Sequence, residues 1–336
     1  MTTTTASTGA LSSGAPLHEI AAAYRTCEFA TMTRAGVPIA WPAVCVIAPD
    51  GRTVTLTTSV ALPRKALNIR RDPRVALLFS DSTGTGRDDV PQVLVQGTAT
   101  CPEEIVTSPA GLEEYWLRLW ERQPGKVDAS SALTRRLMDF YYFRLVITVT
   151  PQAVVSRPPL VRAAAPTVHT PGGDGLRRGD RGAWAGTARR LGGYPDAVLG
   201  TAADGEPPDL RRVRLTADPD TRLLRLSPAH GVPVPASLAG LPGSLLFHGH
   251  DERLSALRQF GVLGTLVPDA GGVALRPERF VPGAAPESPL GMARTVLRLR
   301  RTAKRYLSDR GLDRPAVDWD AFERLTAATP AHSLRR

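Results

Sequence analysis

Five short segments from the first half of this 336-residue chain recur in its second half, in the same order and at similar spacing. CEFATMTRAGVP is answered by YPDAVLGTAADGEP, GRTVTLTT by DTRLLRLS, and DPRVALLF by LPGSLLFH. VQGTAT is answered by VLGTLV, and FRLVITVTPQAVV by GGVALRPERFV. Ordered self-similarity is the mark of a duplicated architecture, and every block has the apolar run or alternation of a β-strand. The chain therefore reads as two copies of one β-rich unit, diverged to low identity.

In the first copy, Leu17, Ile20, Ala21 and Tyr24 have helical spacing, and strands follow. Ala35-Gly36 marks a hairpin tip and Pro49-Asp50-Gly51 the next turn. A short helix runs through PRKALNIRR. Pro63 suits its first position, where a missing N–H has no partner to lose, and Asp72-Pro73 stops it. RVALLFS and PQVLVQGTAT are strands, the spans from Pro102 to Arg122 and from Ala132 to Phe140 are helical, and YYFRLVITVTPQAVV supplies two closing strands. Six or so strands with helices at irregular places argue against a βαβ fold. They point to a mainly β, α+β chain built on an antiparallel barrel with flanking helices.

Composition draws the boundaries. Residues 1–16 carry neither a basic start nor an apolar run, so they are expected to be a disordered N-terminus and no signal peptide. The first unit spans 17–155. Residues 156–190, rich in Pro, Gly, Ala and Arg without periodicity, are a linker. The degenerate second unit spans 191–288. Residues 289–336 form a basic helical segment with Met292, Val296, Leu299, Ala303 and Tyr306 on one side, the pattern of a capping helix with a solvated arginine face.

The net charge of +10 is carried almost wholly by arginine, Lys65, Lys126 and Lys304 being the three lysines. It suits an anionic ligand, nucleic acid or anionic lipid without choosing among them. Cys27, Cys45 and Cys101 form no CxxC pair and are odd in number, as in a reduced, cytoplasmic protein. No segment approaches the roughly 20 apolar residues of a membrane span. Neither a membrane nor a nucleic acid is the expected partner.

The helix after Pro63 poses a chemical question. Arg64 and Lys65 occupy its first turn, where the helix dipole repels cations. An anion there would reverse the sign, because free N–H groups plus two cations form a phosphate cradle. Thr57, Thr58 and Ser59, at the end of the preceding strand, add hydroxyl donors. The alternative is an exposed basic pair near Asp72 or Asp81.

The ordered set LTTSVALPRKALNIRRDPRVALLFSDS and PQVLVQGTAT resembles the pyridoxamine 5′-phosphate oxidase-like, FMN-binding split-barrel superfamily over about residues 25 to 155. The resemblance implies a split β-barrel in two tandem copies, an intrachain pseudo-dimer able to pair further as a homodimer. It implies FMN, with the deazaflavin F420 or haem as alternatives, bound between two barrels. Arg64 and Lys65 would hold the cofactor phosphate with help from Thr57, Thr58 and Ser59. Gln92 would reach the flavin across the interface, and the strand AVCVI, Val44 above all, would lie along the ring. The implied activity is that of a flavin-dependent oxidoreductase on a small organic substrate, or of a non-catalytic flavin or haem binder. No catalytic side chain is nominated.

Departures limit that expectation. Pro233 and Val234 replace the basic pair in the second unit, so one cofactor site is expected rather than two. The Arg-Leu-Pro signature of true pyridoxamine phosphate oxidases is not evident, and RRDPRV looks like the F420-binding branch. His248 and His250 are read as a polar strand terminus, not as metal ligands, because no third ligand has suitable spacing. His230 is read the same way, and GGDG at 172–175 follows no strand.

Overall fold

The computed structural model describes residues 17–19, 24–86, 90–122, 131–160, 182–229, 233–252, 254, 257–270, 272–283 and 289–328. The expected disordered N-terminus, most of the expected linker including GGDG, and His230 lie outside the described residues.

The first sheet has seven antiparallel strands: β1 (Cys27–Met32), β2 (Pro38–Ala43), β3 (Val46–Ile47), β4 (Val54–Ser59), β5 (Arg74–Phe79), β6 (Gln92–Thr100) and β7 (Arg144–Arg157). Their order is β2-β1-β5-β6-β7-β4-β3. The chain runs directly from β2 to β3 through Val44-Cys45, so the sheet curls until its two edges are joined by one broken strand. The second sheet, with β8 (Asp196–Thr201), β9 (Asp209–Asp218), β10 (Leu223–Pro228), β11 (Pro242–Gly249), β12 (Arg258–Asp269) and β13 (Gly272–Val281), is a closed barrel. Its order, β10-β13-β12-β11-β8-β9, matches the first strand for strand, with the continuous β9 standing for β2 plus β3.

The copies also share a defect. β7 is one long strand rather than the two expected, because the ladder continues past Pro151 through a bulge that leaves Gln152 unpaired between the partners of Gln96 and Gly97. The same irregularity recurs between Leu263 and Gly264, opposite Pro277. Both glycines are required: a Cβ on Gly97 would strike the Thr150 carbonyl, and one on Gly264 the Arg276 carbonyl. Aligning the bulges fixes the register of the copies. Val54 opposes Val149 as Leu224 opposes Leu275, so Ser227, Pro228 and Ala229 stand where Thr57, Thr58 and Ser59 do. That is one residue from the sequence blocks, which set Ser227 over Thr58.

Among the described residues, the sheets are flanked by α1 (Arg64–Arg71), α2 (Glu113–Arg122), α3 (Ala132–Met138), α4 (Ala183–Ala188), α5 (Pro289–Ser308) and α6 (Trp319–Ala327), and residues 17–19 are helical as well. The helix expected from Pro102 begins only at Glu113. Pro109 and Gly111 interrupt the earlier stretch, and Glu113 and Glu114 suit a helix N-terminus. α5 and α6 return to the first barrel, where Ala303 and Tyr306 complete its core. Met292, expected on the packed face, is 52% exposed.

The barrels meet through Ala30, Ala40, Ala76, Leu78 and Leu94 on one side and Val198, Leu210 and Leu246 on the other. Beside this patch, Arg212 Nη2 donates to the fully buried Glu28 Oε1 at 2.8 Å, Arg212 Nε to Ser80 at 2.9 Å, and Arg212 Nη1 to Asp196. Burial pushes the Glu28 carboxyl up, but Arg212 and His248 draw it below its ordinary value. His248 is not a solvated strand end. It is buried, with Nε2 2.7 Å from Glu28 Oε1. Among the described residues no group of three or more His, Cys, Asp and Glu side chains is placed to hold a metal, and no helix is long and apolar enough to cross a membrane.

Candidate functional site

The start of α1 is an uncapped helix end. Pro63 makes no side-chain cap, and no acid lies in the first turn. Arg64 is exposed and has no ion pair among the described residues. Lys65 is half-buried, yet its ammonium is ringed by protein and lies 5.6 Å from the centre of the Trp41 ring. Burial pushes it down to about 8, with Cys27 opposing and Arg144 adding to the shift. An anion beside this lysine would raise the value again by favouring its charged form.

Arg144, which the sequence reading passed over, is the second half of the arrangement. It opens β7 directly opposite Ser59, the last residue of β4. Its guanidinium lies 4.1 Å from the Tyr141 ring centre and 4.9 Å from that of Trp116. Although the residue is only 6% exposed, its Nε and Nη2 have no hydrogen-bond partner. The Thr57 hydroxyl is buried as well, with the Tyr115 phenol as its polar neighbour. Burial raises the Tyr115 phenol, while Arg144 and Thr57 pull it back, which places all three together. Leaving such groups unpaired costs about 1–3 kcal/mol each, and more for a charge.

These orphaned donors fit an anion. Lys65, Arg144 and Thr57 converge at one end of the β4–β7 ladder, with Arg64 at the rim. Two of the expected hydroxyls are committed elsewhere. Thr58 donates to the Leu62 carbonyl at 2.9 Å, and Ser59 donates to the Phe140 carbonyl at 2.6 Å while accepting from the Ala61 N–H. They shape the turn into α1 rather than facing a ligand.

Val44 is buried in an aromatic cluster with Tyr115, Trp116, Tyr142 and Phe322. Trp116 stacks on Tyr142 at 5.4 Å, and Phe322 of α6 meets both edge-on at 4.8 Å. The outer face beside AVCVI is thus walled by the chain's own rings.

Gln92 is not part of this group. It opposes Arg157, thirteen residues along β7 from Arg144, or about 40 Å of strand. Its amide nitrogen donates to the Pro158 carbonyl at 2.9 Å, and its buried Oε1 has no partner. Counting back from the shared bulge, its counterpart is Gln259, whose Oε1 is equally unpartnered. Gln259 pairs across the ladder with His248, on the side turned toward the first barrel.

The second barrel has lost each cation. Its turn at Ala270 stands at the place of Arg144, and in the register set by the bulges Val234, which is buried, and Pro235, one residue on from the Pro233 and Val234 of the sequence blocks, stand for the basic pair. Charged side chains fill the region instead. Arg157 donates to Asp209 at 2.9 Å and to the Leu210 carbonyl at 2.6 Å, Arg211 Nε donates to Asp209 at 2.9 Å, and Arg211 Nη1 reaches the Pro233 carbonyl at 3.3 Å. At the corresponding places around the first-barrel site stand Gly283 of the second unit and Ile39, Trp41 and the α1 start of the first. One site keeps unpaired cations. The other satisfies its own.

The family model described as pyridoxamine 5′-phosphate oxidase matches residues 17–148. Among solved structures, a conserved hypothetical protein from Mycobacterium tuberculosis is 25% identical over 47% of this chain and 96% of its own, with a TM-score of 0.33. An F420 reductase is 25% identical over 38% of this chain and 87% of its own, with a TM-score of 0.28. A haem storage protein from Vibrio cholerae is 15% identical over 42% and 92%, with a TM-score of 0.29. No curated protein matches the chain.

Proposed function

We propose that the first barrel, in the stretch 17–148 matched by the pyridoxamine 5′-phosphate oxidase model, holds the phosphate of a flavin-type cofactor and that the chain is an FMN-dependent oxidoreductase acting on a small organic substrate. The observation that carries the reading is the buried, unpartnered Arg144 guanidinium beside Lys65 and the Thr57 hydroxyl. Arg144 binds two phosphate oxygens through Nε and Nη2, Lys65 supplies a second charge, and Thr57 donates a hydrogen bond. Arg64 draws the anion toward the helix start from outside.

FMN, when bound, supplies electron or hydride transfer at its ring system, and the protein supplies position and electrostatics. Trp116, Tyr142 and Phe322 keep water from the face beside Val44. If a glutamine from the opposite barrel serves this site, it is Gln259, since Gln92 serves the pocket that lost its cations. FMN and F420 both carry a phosphate, whereas haem carries carboxylates. The absorption spectrum and mass of the molecule released from purified protein separate the three. A flavin reduced by NAD(P)H supports the oxidoreductase. A deazaflavin mass moves the assignment to the F420 branch, a Soret band moves it to haem, and failure to retain any of them defeats it.

A further inference from the structure

Helix α5 carries six cations and no carboxylate over Pro289–Ser308. Two are spoken for: Arg300 donates to the carbonyls of Arg136 and Leu137 at 2.7 and 2.9 Å, and Arg305 faces Asp309 at 3.5 Å. Arg294, Arg298, Arg301 and Lys304 have no partner among the described residues. They fall three or four residues apart on the outward arc, where like charges oppose helix formation. Packing does not require them, because the helix is held by Val296, Leu299, Ala303 and Tyr306 on the opposite arc. Leucines share the charged side: Leu297 is 54% exposed and Leu312, just past the helix, 43%.

A cavity of about 600 Å3 opens between this arc, the turn at Asp139–Phe140 and residues 312–314. Its apolar lining comes from Phe140, Phe143, Leu297, Leu307 and Leu312. Arg301 and Lys304 stand at its edge. Two carboxylates also line it, Asp139, which Arg314 holds at 3.0 Å, and Asp313; against them stand four cations, Arg300, Arg301, Lys304 and Arg314, so the net charge of the lining is positive. Small-molecule sites are typically apolar cavities of roughly 300–1,000 Å3 with a few charged groups at fixed places.

We propose that this cavity binds an amphipathic anion, an acyl or alkyl chain ending in a carboxylate or phosphate. The chain lies on the phenylalanines and leucines, and the head is held by Arg301 and Lys304. A bare inorganic anion would leave Leu297 and Leu312 in water, and a nucleic acid would use the cations without entering the cavity. The site is independent of the cofactor reading, because neither Lys65 nor Arg144 lines it.

The test is calorimetric titration of the full chain with dodecyl phosphate below its micelle concentration, with methyl phosphate as the chainless control. Saturable 1:1 binding is expected for dodecyl phosphate, with none for methyl phosphate at the same concentrations. Arg301→Ala with Lys304→Ala should weaken it about tenfold or more, as should Leu297→Gln with Leu312→Gln. Both pairs are surface changes whose folding is checked by circular dichroism. Co-sedimentation with phosphatidylglycerol vesicles, set against phosphatidylcholine vesicles, separates a headgroup reached in a bilayer from a free ligand. Either result supports the site. Absence of saturable binding, an affinity unchanged from the parent in either double variant, or displacement by duplex DNA that the leucine changes do not alter would overturn it.

Discussion

Replacing Arg144 by methionine separates a ligand-binding arginine from a merely packed one. In the free protein the guanidinium lies 4.1 and 4.9 Å from two aromatic ring centres, and two of its nitrogens have no partner. Methionine keeps most of the apolar contact with Trp116 and Tyr141 and removes an uncompensated buried charge. The lost cation–π attraction, about 0.5–2 kcal/mol per ring, is set against several kcal/mol of desolvation that the variant no longer incurs. Free-protein stability should therefore stay within about 1 kcal/mol of the parent or rise. In the complex, two charge-assisted hydrogen bonds vanish at about 1.5–3 kcal/mol each. The loss of roughly 3–6 kcal/mol corresponds to about 10²–10⁴ in affinity. The assay pairs urea unfolding of cofactor-free protein with a titration of FMN or F420. Marked destabilisation with unchanged affinity would refute the reasoning and make Arg144 a packing residue.

Three further outcomes follow from the same geometry. Lys65 titrates near 8, below its ordinary value, so the anion site loses a charge as pH rises through that value. Cofactor affinity should fall above about pH 8, and Lys65→Arg, measured over the same range, should flatten the profile. In the cofactor-free protein the sign reverses. The unfolded chain binds more protons between the lowered and the ordinary lysine pKa, so stability should increase with pH across that window, as urea unfolding would detect. Arg212→Ala leaves Glu28 and Asp196 without their shared cation, and breaking a buried pair in this way costs about 3–5 kcal/mol; calorimetry should show a large loss of Tm, while Arg157→Ala, at a partly exposed pair, should cost far less.

Much of the fold was legible because duplication leaves its trace in turn and strand chemistry. The hairpin tip at Gly36, the VQGT and VLGT strands and the two prolines opposite them are local signals that strand pairing reuses in both copies. Register was less legible. DTRLLRLS slips by one residue, since alternating apolar positions fit either parity until a ladder partner fixes the face. The basic start of α1 was readable from dipole physics. Arg144 was not, for a single arginine in FRLVITV reads as a strand residue facing water, and only packing of Trp116 and Tyr141 shows that it is buried. Thr58 and Ser59 misled for the opposite reason. Their hydroxyls suit a ligand but also suit a tight turn, and the carbonyls of Leu62 and Phe140 take them. Gln92 carries no local sign that its strand partner is Arg157, at the far end of β7 from Arg144.

The central claim is that one barrel binds an anionic cofactor while its copy satisfies its own charges. Native mass spectrometry of the full chain, saturated with the cofactor it retains, tests this most directly. One cofactor per chain, lost in Arg144→Met and kept in Arg211→Ala, is the predicted result. Two per chain, or one that survives Arg144→Met and is lost in Arg211→Ala, would contradict it.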